Sequence, residues 1–303
     1  RSRDTDRGHD PRPGGAAVND RVPRWIGRLA VEALVAEATL APKPGLVTPF
    51  SQGAHADMDY RMLVASARAL GPCFEGCARA GLEAAAAHRD PGTLLDILRP
   101  IGLAGEDAMN RATGGVNAHK GGIFCLGLLG AAVGFLHGQG RADMEGGFEL
   151  VAGLCAGLVA RELDRPRASG SPTAGERLYR DQRIRGARGQ AEDGYPLLRD
   201  RLLPILRDAG REGGRRSPSA CLDALLVSMR DLEDSCLLAR GGPRGLALAQ
   251  SGADEVLRLG GAGSARGLLA LRDLDRTLCR AGLSPGGSAD MLAAGMFLVD
   301  AEN

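Results

Sequence analysis

The chain has 303 residues and a formal net charge of +1, from 38 basic and 37 acidic side chains. That balance excludes a basic nucleic-acid surface, and aromatics at 3% leave few rings for a single-strand stacking platform. Hydrophobic residues at 44% suffice for a core and exclude wholesale disorder.

Residues 1–20, rich in Arg, Asp, Pro and Gly, predict a disordered tail ahead of one multi-helix all-α domain over 21–303. Ile26, Leu29, Ala30, Ala33 and Leu34 repeat at helical spacing over 24–41, where Pro42 and Pro44 stop the helix. Asp57 or Asp59 then caps a helix running to about His88, and Thr93 caps another to about Arg111, disturbed at Pro100. Further helices are predicted over 121–137, 144–163, 173–181, 196–210, 218–238, 244–259, 264–281 and 288–300. The stretches 164–195 and 210–217 read as loops, and few or no strands are expected. The longest apolar run, 121–136, falls short of the about 20 residues of a membrane span and predicts a core helix. Seven scattered cysteines and no evident signal peptide predict a reducing, cytoplasmic setting.

Polar residues gather between the helices. Lys43 stands between two prolines, and GAHADMD (53–59) sets His55, Asp57 and Asp59 at alternate positions before a helix. TGGVNAHKGGIF (113–124) places Gly114, Gly115, Asn117, His119 and Lys120 at a helix start whose N–H groups favour an anion. Arg188 follows in 186–196, Glu233, Asp234 and Arg240 in 233–242, and Ser284, Gly286 and Gly287 in LSPGGSAD (283–290). Cations at glycine-flanked helix starts suggest a polyphosphate, and the acids a divalent cation beside it. HKGG (119–122) lacks the P-loop pattern, and GGAGSARG (260–267) misses the dinucleotide fingerprint. The residues alone therefore reach a nucleotide or phosphate site formed by glycine-rich loops.

PKPGLV (42–47), GAHADMD (53–59), TGGVNAHKGGIF (113–124), RGQAEDGYP (188–196), ARGG (239–242) and SPGGSAD (284–290) together resemble the triphosphoribosyl-dephospho-coenzyme A synthase family, in the family's order. The resemblance implies an all-α transferase with ATP and 3′-dephospho-CoA as substrates and Mg²⁺ as cofactor. The 5-triphosphoribosyl group passes to the 2′-hydroxyl of dephospho-CoA and adenine leaves. The product is the prosthetic-group precursor for the acyl carrier protein of malonate decarboxylase or citrate lyase, handed on to a carrier-modifying transferase. Neither nucleic acid nor membrane is an implied partner, and a homo-oligomer is compatible with it. Three departures stand out: Ala118 for threonine, Gln190 for glutamate, and EDSC (233–236) for DDTN. The last resembles the malonate decarboxylase branch.

By resemblance and chemistry together, Lys43, Lys120, Arg188 and Arg240 are candidates for the phosphates. His55, Asn117, Gly114, Gly115, Ser284, Gly286 and Gly287 join them as substrate-binding residues. Asp57, Asp59 and Glu233 are candidate metal ligands, and Glu106, His119 and Asp234 candidate acids or bases. An all-α metal-dependent phosphohydrolase or ADP-ribosyl-type hydrolase would turn the same carboxylates on water, and a non-catalytic helical scaffold would bind no nucleotide.

Of the 38 basic residues only Lys43 and Lys120 are lysine. A compact ammonium and a planar guanidinium are not interchangeable at a phosphate. Lys120→Arg and Lys43→Arg are therefore expected to lower kcat/KM for ATP at least tenfold, about 1.4 kcal/mol, with Arg28→Lys silent. Wild-type kinetics in both lysine variants would make the lysines accidents of composition.

Overall fold

A computed structural model describes residues 20–164, 172–208, 211–212 and 215–302. The expected tail lies outside these residues apart from Asp20, as does 165–171 of the expected loop. The helices are α1 (Arg21–Thr39), α2 (Tyr60–Ala69), α3 (Gly71–Ala86), α4 (Leu94–Thr113), α5 (Lys120–Gly138), α6 (Met144–Cys155) and α7 (Leu158–Leu163). They continue as α8 (Ala174–Gln182), α9 (Gly186–Glu192), α10 (Leu203–Asp208), α11 (Pro218–Asp231), α12 (Ser235–Arg258), α13 (Ala265–Arg280) and α14 (Gly286–Ala301). The fold is all-α. Its described extended pairing is an antiparallel contact of Arg211–Glu212 with Arg215–Arg216, inside the expected 210–217 loop, and an isolated antiparallel bridge between Thr48 and Ser51.

Helix α5 is apolar all round, which fits a helix surrounded by protein. It packs against α1, α3, α4, α6, α9 and α14. Among the described residues it is the one helix long and apolar enough to cross a membrane, yet 78% of its apolar window is buried within this domain. The α3–α5 contact is backbone to backbone. A Cβ on Gly81 would come within 2.0 Å of Ala131 O, and one on Gly134 within 2.2 Å of Ala78 O. Each helix thus offers a glycine to the other's main chain.

Several predicted helices divide where backbone chemistry demands it. The stretch 57–88 holds α2 and α3, separated at Leu70 ahead of Gly71–Pro72, since proline has no N–H to carry a helix onward. The stretch 144–163 breaks at Gly157, whose φ is +70°. Helix α11 stops at Asp231, so Asp234 opens α12, which bends at Gly242 (φ +60°) before Pro243. A wide π-helical turn over Leu198–Leu202 leads into α10. Helix α9 lies in the expected loop; its seven residues include two glycines and carry no apolar stripe.

Gly134→Ala is expected to destabilise the fold by about 1–3 kcal/mol, although alanine gains about 1 kcal/mol of helix propensity. Gly102→Ala, where a Cβ meets nothing within 4 Å, is expected to gain stability. Urea midpoints of the two variants check this: equal shifts would deny the close α3–α5 approach.

Candidate active site

Glu37 falls on the apolar stripe of α1, between Leu34 and Ala38, and is buried. Its partner is Lys43, only 1% exposed, whose Nζ donates to Glu37 Oε1 at 2.5 Å and to Glu37 O at 2.7 Å. Burial pushes the Lys43 pKa down, and the Glu37 charge opposes that. The lysine therefore ties the loop after α1 to the end of α1. Lys43, expected at a phosphate, thus has its ammonium bonded to Glu37 and out of solvent.

The first turn of α5 lies beside this pair. His119 is buried, its Nδ1 lies 2.8 Å from Ser66 Oγ on α2, and its backbone N–H meets Met109 Sδ. Burial, helped by the Lys43 charge, lowers its pKa to about 4, so the ring is neutral at pH 7. Asn117 Oδ1 accepts the Lys120 N–H at 3.2 Å. Gly114 ends α4 in the left-handed region and Gly115 also has positive φ; they reverse the chain.

The Asp290 carboxyl lies against the first turn of α5. A Cβ on Gly121 would lie 2.0 Å from Asp290 Oδ2, and the Gly122 N–H bonds to the carboxyl. Burial, with the charges of Glu37 and Asp234, raises the Asp290 pKa well above the usual carboxylate value. Lys120 points outward instead, its Nζ 2.6 Å from Glu106 Oε2, with the two side chains 52% and 26% exposed.

The loop 53–59 meets α12 and α14. His55 Nε2 lies 3.0 Å from Ser284 Oγ, and its Nδ1 lies 3.4 Å from Asp57 Oδ1 and 3.2 Å from an Arg240 nitrogen. Burial and then Arg240 lower the His55 pKa. Arg240 also donates to Ala54 O and Gly282 O, at 3.4 and 3.2 Å. Asp59 Oδ1 caps α2 by accepting the Met62 N–H at 2.8 Å, while Asp57 and Glu233 are exposed. No group of three or more His, Cys, Asp or Glu suited to a metal occurs among the described residues.

Asp234 is sealed from solvent. Oδ1 accepts the N–H groups of Cys236 (2.8 Å) and Leu237 (3.3 Å); Oδ2 accepts Ser288 N–H (2.8 Å) and Oγ–H (2.9 Å). Burial raises its pKa against those four bonds. Asp234, expected as a catalytic carboxylate, thus bonds to the starts of both α12 and α14. Gly286 and Gly287 let those starts close, since Cβ atoms there would lie 3.0 Å from Cys236 Sγ and 3.2 Å from Asp234. Arg188 stands apart, its Nε 2.7 Å from Glu162 Oε2, with Arg99 on the same carboxylate.

The structure thus gathers Lys43, His119, Lys120, Glu106, His55, Ser284, Arg240 and Asp234 near the starts of α5, α12 and α14. Sequence reasoning missed Glu37, Ser66, Ser288 and Asp290. An acid on the apolar stripe of α1 was a readable signal for Glu37. Asp290 stands in SPGGSAD (284–290), where the glycines carry the visible signal.

The neutral state of His119 sets an acid limit. The unfolded ring binds a proton near pH 6.5 and the folded ring near 4. Its contribution is full above pH 6.5 and is lost as pH falls toward 4, on the order of 3 kcal/mol. His119→Gln is expected to flatten this limb in urea titrations between pH 7 and 4.5; parallel losses in both proteins would refute it.

Comparison with known proteins supports the family resemblance. Residues 23–303 match the CitG family, ATP:dephospho-CoA triphosphoribosyl transferase. A probable 2-(5″-triphosphoribosyl)-3′-dephosphocoenzyme-A synthase of Vibrio cholerae is 42% identical, covering 90% of this chain and 87% of its own. One from Pseudomonas paraeruginosa is 44% identical (90% and 89%), and the synthase of Klebsiella pneumoniae is 39% identical (90% and 93%). No solved structure matches. The chain belongs to the ATP:dephospho-CoA triphosphoribosyl transferase family.

Proposed function

We propose that this chain transfers the 5-triphosphoribosyl group of ATP to the 2′-hydroxyl of 3′-dephospho-CoA and releases adenine. We further assign the product to the acyl carrier protein of malonate decarboxylase, reached through a carrier-modifying transferase in the cytoplasm. Family membership supports the reaction, and EDSC at 233–236 favours malonate decarboxylase over citrate lyase. The observation that carries the reading is the meeting of segments 42–47, 53–59, 113–124, 233–242 and 284–290 around the start of α5.

The reaction exchanges adenine at C1′ for a ribose oxygen and develops oxocarbenium character, as in glycoside transfer. Its triphosphate needs cations that solvent reaches. Lys120 and Arg240 meet that need, whereas Lys43 does not. Glu106, adjoining Lys120, is the accessible carboxylate for the developing charge or the acceptor proton. His119 and Asp234 then hold the loops in register rather than meet substrate.

Mg²⁺ uses one or two carboxylates together with substrate phosphates. The exposed Asp57 and Glu233 fit an ion that arrives with ATP, not one held in a protein cage. When bound, that ion neutralises phosphate charge.

Mass spectrometry of a reaction with ATP, Mg²⁺ and dephospho-CoA should show adenine and the triphosphoribosyl product only when all three are present. Glu106→Gln is expected to cut turnover more than tenfold with an unchanged melting temperature. Ribose or phosphate release without dephospho-CoA would instead identify a hydrolase, and no thermal shift with Mg²⁺–ATP would deny the nucleotide site.

A further inference from the structure

The loop between α1 and α2 holds one large ring in water. Phe50 is 88% exposed, in a chain with aromatics at only 3%. Its turn is firmly held. Thr48 N–H donates to Ser51 O at 2.8 Å, Ser51 N–H returns to Thr48 O at 3.4 Å, and Phe50 N–H donates to Thr48 Oγ1 at 3.2 Å. Below the turn, Gly53 N–H donates to Ser51 Oγ at 3.0 Å and Gly45 N–H to Asp275 Oδ1 at 3.0 Å. A ring presented on such a support loses little freedom when a ligand covers it.

Beside the ring lies a cavity of about 410 Å³, lined by Thr48, Phe50, Gln52, Asp59, Tyr60 and Arg61 among others. Tyr60 is anchored through its hydroxyl, 3.1 Å from Thr39 Oγ1. Arg61 is exposed. An aromatic face with hydroxyl and amide groups and one guanidinium suits a nucleobase joined to a short phosphate chain. The reaction proposed above has two adenine nucleotides. ATP carries about four charges and calls for several cations, as at Lys120 and Arg240. Dephospho-CoA carries a diphosphate diester, which a single arginine matches better. The cavity shares its loop with His55 and Asp57, which border the candidate active site.

We propose that this cavity is the adenine subsite of the acceptor, with Phe50 stacking on the base of 3′-dephospho-CoA and Arg61 pairing with its diphosphate. The assignment rests on the transferase reading. It is tested by steady-state kinetics and by equilibrium dialysis of dephospho-CoA without ATP. Phe50→Ala is expected to raise KM and Kd for dephospho-CoA about fivefold or more, with kcat and KM for ATP within about twofold of wild type. Phe50→Tyr should restore binding. Arg61→Gln should weaken it, with a smaller salt dependence than wild type. ADP should displace dephospho-CoA from the wild-type protein, whereas 4′-phosphopantetheine, which lacks adenosine, should not.

Unchanged KM and Kd for dephospho-CoA in Phe50→Ala would overturn the proposal. A rise confined to KM for ATP would do so too, by assigning the ring to the donor. A change in mass by light scattering with unchanged dephospho-CoA affinity would overturn it by making Phe50 a contact between copies. If the wild-type chain forms no product, the transferase reading fails, while the dialysis experiment still decides the subsite.

Discussion

The buried pair of Glu37 and Lys43 constrains everything around the candidate active site. Two charges without solvent are costly unless they are closely matched and further bonded. Lys43 meets that demand by using both the carboxylate and the last-turn carbonyl of Glu37. The loop after α1 therefore has one seat. From that seat the chain reaches Gly45 on Asp275, then the Phe50 turn, then His55 against Ser284. The same lysine charge helps keep His119 neutral, and the Glu37 charge helps keep the Asp290 carboxyl from ionising easily. Displacing this pair would alter the seating of the loop and two neighbouring protonation states together.

Much of the fold is legible in the sequence because its helices carry period and punctuation. Helix α1 shows its apolar stripe and stops at proline; α13 has Ser264 as a side-chain cap. The harder boundaries depend on tertiary partners. The split at 231–235 follows from one aspartate serving two helices, a contact that links positions 234 and 288 and has no local signature. Helix α9 lacks amphipathic patterning, so its helicity comes from what surrounds it. In the site, the segments were readable but the division of labour was not. Loop lysines look alike in sequence, yet Lys43 is enclosed with an acid and Lys120 faces water. That the Asp290 carboxyl packs against the start of α5 required the fold.

The chain's 45 glycines also gain a physical meaning. In the α3–α5 contact, glycine removes the side-chain layer that usually separates helices, so main chains touch. At Gly121 the same absence makes room for a carboxyl rather than a backbone. These glycines occupy places that no larger residue fits without displacement.

Asp234 has a consequence beyond joining two segments. Helices α12 and α14 both direct their N-terminal ends, each worth about half a positive charge, at this one side chain. Like poles so close repel unless a negative group stands between them. The carboxylate therefore acts as a counterion for two macrodipoles at once, and the seam between the helices is held by electrostatic neutrality as much as by packing. Its strength depends on the charge at residue 234 and not only on its shape, so the wall beside Arg240 and Ser284 behaves as a charged hinge pin rather than an apolar one.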